Sequence, residues 1–198
     1  AQESADARRL VALGARPDQV VVTGNLKFAV NTLALQTAYQ AEHQRLGGAL
    51  RDRSVWLAAS THPGEEEAVL TAFLALKGAS PNALLMLAPR HPERADSLLA
   101  LPAMRDLQVI RHSEQRDMKR SDDVLLIDTL GSLAALTGFA DLVFVGGSLV
   151  RHGGHNPLEA AVWQLPILTG PHTFNFPTIY RDLVRCGGAQ QVEATTLS

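Results

Sequence analysis

The chain has 198 residues, 46% of them hydrophobic and 19% charged, with 18 Lys and Arg against 20 Asp and Glu. That length suits one sizeable α/β domain, and a formal charge of -2 excludes the broad basic field that nucleic-acid binding uses. The single cysteine, Cys186, excludes an internal disulfide framework and fits a reducing compartment, while no apolar run is long enough to cross a membrane as a helix.

In chain order, residues 4–13 read as a helix that opens directly after Ala1, and residues 194–198 stop where another helix could begin, so a piece of a longer protein is expected. Residues 20–23 (Val-Val-Val-Thr) predict a short strand, and residues 32–46 a helix ended by Gly47 and Gly48. Strand 55–59 follows, then helix 63–76, whose acids Glu65, Glu66 and Glu67 read as a solvated first turn favoured by the helix dipole. Strand 83–87, helix 92–101, strand 107–111, loop 113–123 and strand 124–127 come next, with Pro63 and Pro92 as helix starters. Helix 130–136, strand 142–145, helix 157–163, strand 167–169 and helix 176–185 complete the pattern. Near-continuous apolar strands alternating with helices predict a Rossmann-like, doubly wound parallel sheet buried on both faces.

In such sheets ligands sit beyond the carboxyl ends of the strands. Five of those ends carry polar groups: Ser60-Thr61-His62, Arg90-His91, Asp128-Thr129, the run from Gly146 to Glu159, and Gly170 to Phe176. The run Gly146-Gly147-Ser148-Leu149-Val150-Arg151-His152-Gly153-Gly154-His155-Asn156-Pro157-Leu158-Glu159 joins a strand to a helix start. Its glycines allow close backbone approach, and a helix N-terminus suits a phosphate, so it reads as a nucleotide site. Neither GxGxxG nor GxxxxGK[ST] is present. Glu159 has two readings, as a capping-box partner three residues after Asn156 or as an acceptor of two ribose hydroxyls. Arg90 suits a phosphate, a sugar carboxylate or a local acid, and Lys27 either a ligand or solvent. His62, His91, His152, His155 and His172 follow strands, but their irregular spacing, without HExxH or cysteine, assigns no metal. No nucleophile elbow is present, Cys186 reads as a small packed residue, and Asp128 and Asp141 as caps.

Taken together, Thr23-Gly24-Asn25-Leu26-Lys27-Phe28, Ala59 to Glu66, Pro89 to Arg94, Asp128-Thr129-Leu130-Gly131, Phe144 to Glu159 and Gly170 to Phe176 resemble the bacterial 3-deoxy-D-manno-octulosonic acid (Kdo) transferases. The resemblance implies the C-terminal, donor-binding half of a GT-B glycosyltransferase. Residues 1–198 would form one donor domain, with residues 1–50 as its interdomain-junction segment and the N-terminal acceptor domain absent. The donor would be CMP-Kdo and the acceptor a lipid A precursor of lipopolysaccharide synthesis. Membrane association and the catalytic base would lie in the missing half, at the cytoplasmic face of the inner membrane, with no cofactor. By matching motif, Gly153, Gly154, His155, Asn156 and Glu159 would form the nucleotide loop, with Glu159 toward the ribose and Arg90 and His91 toward the phosphate or base. Ser60, Thr61, His62, Ser148 and Lys27 would be neighbours of the donor. Ser132 stands where the family commonly has Glu, so any role of that carboxylate does not transfer. Two alternatives remain, a UDP-sugar enzyme such as a sugar-nucleotide 2-epimerase and a non-catalytic nucleotide-binding domain.

Overall fold

Strands without polar alternation must hide both faces, and here they do so in two separate cores. In the computed structural model, which describes residues 1–24 and 32–197, seven strands form one all-parallel sheet: β1 (Val55–Thr61), β2 (Leu84–Pro89), β3 (Val109–Arg111), β4 (Val124–Leu126), β5 (Leu142–Val145), β6 (Ile167–Thr169) and β7 (Ala189–Gln191). Their spatial order is β3-β4-β2-β1-β5-β6-β7. Along β1, Val55 and Leu57 enter one core while Trp56 and Ala58 enter the other; along β5, Val143 and Val145 oppose Phe144 in the same way. The first core is roofed by α2 (Thr32–Leu50), α5 (Leu133–Thr137), α6 (Leu158–Val162) and α7 (Pro177–Arg185), the second by α3 (Glu66–Ala79) and α4 (Ala95–Leu99).

The chain divides into two compact units, residues 1–32 and 33–198, and the sheet belongs to the second. In the first, α1 (Ser4–Ala12) precedes a 3-10 turn at Pro17–Gln19. Residues 20–23, expected as a strand, form none: the Ala1 amino group donates to the Val21 carbonyl at 2.7 Å and the Thr23 N–H to the Ala1 carbonyl at 3.0 Å. A β-branched run becomes a strand only where another strand completes its ladder, and Val21 stays 65% exposed.

Elsewhere the boundaries move for identifiable reasons. Helix α2 runs through Gly47 and Gly48 to Leu50, because Leu46, Ala49 and Leu50 are buried and their packing outweighs a glycine penalty of about 1 kcal/mol each. Helix α3 starts at Glu66 rather than 63, leaving Pro63 in a turn with Gly64 at φ +93°. The expected helix 92–101 is a 3-10 turn at Pro92–Arg94 followed by the short α4. Strand β7 was not anticipated, since Ala-Gln-Gln carries almost no apolar signal. Cys186, expected to be packed, is exposed. Asp141 is a cap, as expected, accepting the Val55 N–H at the start of β1 at 2.8 Å.

Candidate functional site

The strand order reverses direction of travel between β1 and β5, so their carboxyl ends open a crevice of the kind where α/β sheets bind ligands. The loop after β1 and the glycine loop after β5 meet there. Pairing of β1 with β2 is irregular between Ala59 and Thr61, and Ser60 between them sits in the left-handed region at φ +56°. Such strain in a non-glycine residue costs about 1–3 kcal/mol and gathers at functional sites. A methyl group on Gly146 would strike the Ser60 carbonyl, and one on Gly170 the Ser148 carbonyl, so glycine is required where these backbones pass each other.

A single carboxylate joins the two loops. Glu65 is fully buried. Its Oε2 accepts N–H bonds from His62 at 2.9 Å and Gly147 at 2.8 Å, and its Oε1 from Ser148 at 3.0 Å and Leu149 at 2.9 Å. The expectation of a solvated acidic turn is therefore corrected for two of three acids. Glu65 holds backbone; Glu66, 1% exposed, pairs with Arg94 at 2.8 Å; Glu67 alone is exposed. The usable signal for Glu65 was its position three residues after His62, a capping-box spacing closed here by the His62 N–H.

The outer half of the glycine loop is clamped by the segment after β6. The Asn175 side-chain amide donates to the His152 carbonyl at 2.7 Å, and the Asn175 N–H to the Gly153 carbonyl at 2.9 Å. From α7, the Tyr180 hydroxyl donates to the His155 carbonyl at 2.8 Å; burial raises the Tyr180 pKa, which keeps the phenol a donor. The Asn156 Oδ1 accepts the Leu158 N–H at 3.2 Å and so caps α6. Sequence reasoning gave Asn175 and Tyr180 no role of their own, because their partners lie more than twenty residues away.

Four histidines converge at the mouth of the crevice. The Nε2 atoms of His62 and His155 are 2.7 Å apart, one donating and one accepting. The His62 ring stacks on His152 with centroids 4.0 Å apart, and the His91 ring stands edge-on to it at 6.3 Å. Burial, then the neighbouring His152 and His91, push the His62 pKa down to about 4. Burial, then His62 and Arg90, do the same to His155. Both rings are thus neutral near pH 7. Among the described residues, no group of three or more His, Cys, Asp or Glu side chains is arranged to hold a metal ion.

Arg90 donates its backbone N–H to the Thr61 carbonyl at 2.9 Å, which ties the β2 loop to the β1 loop. Its exposed side chain makes no hydrogen bond or ion pair with any other described residue, yet its charge is felt at His155 and Glu159. The Glu159 carboxyl touches solvent, but surrounding protein raises its pKa and the Arg90 charge opposes that rise. Arg90, His62, His91, His155 and Glu159 therefore share one neighbourhood. Ser148 is placed differently. It is fully buried, its hydroxyl donates to the Val145 carbonyl at 2.6 Å and accepts the Gly170 N–H at 2.8 Å. Thr61 is also fully buried, with no partner for its hydroxyl among the described residues. Gly153 and Gly154 are buried within the loop, and Lys27 lies outside the described residues.

At the far edge, the Asp128-Thr129 motif turns inward rather than toward the crevice. Thr129 bonds the buried His112 at 2.6 Å and Ser132 at 2.7 Å, and the other nitrogen of His112 meets Glu42 of α2 at 2.9 Å. Asp128 accepts the Ser113 N–H and hydroxyl.

No family model matches the chain. The 3-deoxy-D-manno-octulosonic acid transferase of Haemophilus influenzae is 42% identical over 98% of the chain, which spans 45% of that enzyme's length. A crystal structure described as the C-terminal CMP-Kdo binding domain of WaaA from Acinetobacter baumannii superposes with a TM-score of 0.73 at 31% identity, covering 83% of this chain and 84% of that one. UDP-GlcNAc 2-epimerase from Neisseria meningitidis shares the fold alone, with a TM-score of 0.58 and 18% identity over 98% of this chain and 48% of that one. With most of that WaaA domain covered at this identity, on the same parallel sheet, the chain belongs to the 3-deoxy-D-manno-octulosonic acid transferase family.

Proposed function

We propose that this chain is the donor-binding part of a glycosyltransferase that moves Kdo from CMP-Kdo to a lipid A precursor. The observation that carries the reading is the meeting of Arg90, His155 and Glu159 at the β1/β5 crevice, in a chain related to a CMP-Kdo binding domain. Glu159 accepts the two ribose hydroxyls of CMP, and Gly153, Gly154, His155 and Asn156 shape the nucleotide loop. Arg90 and His91 face the phosphate, with Ser60, Thr61, His62 and Lys27 as neighbours of the donor and Ser148 behind them, supporting the loop through its buried hydroxyl.

The reaction breaks the bond between the anomeric carbon of Kdo and the CMP phosphate oxygen, so negative charge grows on that oxygen. The Arg90 guanidinium, with no hydrogen-bond partner among the described residues, is placed to meet it, and a charge placed where charge develops lowers the barrier. His62 and His155, neutral near pH 7, supply polar contacts without charge. The acceptor hydroxyl is deprotonated by a carboxylate of a second, N-terminal half, which also carries acceptor and membrane contacts at the cytoplasmic face of the inner membrane. The chain by itself transfers no Kdo.

The test is titration of the chain with CMP and with UMP in the presence of chelator, followed by amide resonances. CMP-selective, saturable shifts at residues 153–159 are expected. Glu159→Ala should weaken CMP by about 10- to 100-fold, the value of a hydrogen-bonded charge. A preference for UMP would move the reading to a UDP-sugar enzyme, and Kdo transfer by the chain alone would overturn the placement of the base.

A further inference from the structure

Three consecutive backbone N–H groups, those of Gly147, Ser148 and Leu149, converge with the N–H of His62 on one carboxylate. Successive amides aimed at one point form a nest that binds anions such as phosphate. In this chain the nest is already filled, and from inside: Glu65 reaches it across 82 residues of sequence and is inaccessible to solvent. All four bonds run from N–H to carboxylate oxygen, two to each oxygen, so the carboxylate is a complete match for the cavity.

We propose that Glu65 is a positioning residue that serves as a built-in anion. By filling the nest it keeps the donor's phosphate out of the inner half of the glycine loop, at 147–149. The phosphate must then meet the side chains around the outer half, Arg90 foremost. The naming of that phosphate rests on the donor-binding reading above; the nest itself does not.

Substitutions separate this role from simple packing. Glu65→Ala leaves four N–H groups converging on a vacancy of carboxylate size. Glu65→Gln preserves shape but turns one acceptor oxygen into an NH2 group that faces two N–H donors and leaves no room for an ion. If Glu65 merely filled space, Gln would be the milder change and anions would not matter.

The experiment uses the whole chain as wild type, Glu65→Ala and Glu65→Gln, titrated with inorganic phosphate and with formate. The amide resonances of residues 147–149 and the melting temperature are read. In the wild type these amides should ignore both anions, and they should stay in place when CMP binds. Glu65→Ala should show saturable shifts there with both anions, a melting temperature that rises with formate, and CMP affinity lowered about 10-fold and restored by formate. Glu65→Gln should show none of these gains. Should Glu65→Ala fail to fold, recovery of folded protein in formate but not in chloride is the expected result. Wild-type amides at 147–149 that take up phosphate would overturn the proposal, as would Glu65→Ala that is folded yet blind to both anions, or unfolded in both salts. Failure of the donor reading looks different: the wild type would ignore CMP while the anion response of Glu65→Ala persisted.

Discussion

His62 and His155 stand so close that only one proton fits between their facing nitrogens. The consequence for stability has a definite sign. Well above pH 6.5 the rings are neutral in both folded and unfolded chains and add no pH dependence. As pH falls through 6.5 toward about 4, the unfolded chain takes up protons that the folded one refuses, so stability declines. Melting temperatures measured from pH 7.5 to 4.5 should fall less steeply for a His62→Asn, His155→Asn double variant; an unchanged slope would assign the acid sensitivity elsewhere. That Arg90, His62, His91, His155 and Glu159 would share one neighbourhood was legible from their positions after strands or within the glycine loop. Glu65 was not, because local sequence shows three adjacent acids and cannot show that partners for the first lie at 147–149.

At the scale of elements, the glycine loop is a pair of segments with different owners. Its inner half belongs to the β1–α3 connection through Glu65, and its outer half to the β6–α7 connection through Asn175 and to α7 through Tyr180. Gly170 is where that connection crosses the loop, hard against the Ser148 carbonyl. Gly170→Ala should therefore force backbone apart and cost about 1–3 kcal/mol of stability in urea unfolding. It should also weaken CMP binding, because the stretch of loop it displaces, at Ser148, leads into residues 153–159. Strands were the easiest elements to read, since a run buried on both faces carries an unbroken apolar signal, as in Leu84 to Leu87. Residues 20–23 carry a similar signal but pair as a strand with no other described residue, and β7 went unread because its Gln190 and Gln191 are exposed.

For the sheet-bearing unit as a whole, one sheet separates two cores that share every strand's backbone. Phe144 is the largest β5 side chain in the core beneath α3, and it is completely buried. Phe144→Ala should lower unfolding stability by about 3–5 kcal/mol with an unchanged denaturant slope, provided the unit melts as one. The parallel, doubly wound layout was legible from the alternation of runs; the strand order was not, because register between β1 and β5 depends on residues 86 apart, such as Trp56 and Leu142. That separation bears on how the molecule is made. Residues 55–127 supply β1 to β4, and only later residues supply β5 to β7. At about 5–20 residues per second, a ribosome needs about 4–16 seconds to deliver the 82 residues between Glu65 and Gly147. During that interval the open edge of β1 and a carboxylate meant for burial wait in the nascent chain, so the ligand crevice is among the last features to be born, and β5, which closes the exposed edge, is also what delivers the glycine loop that completes it.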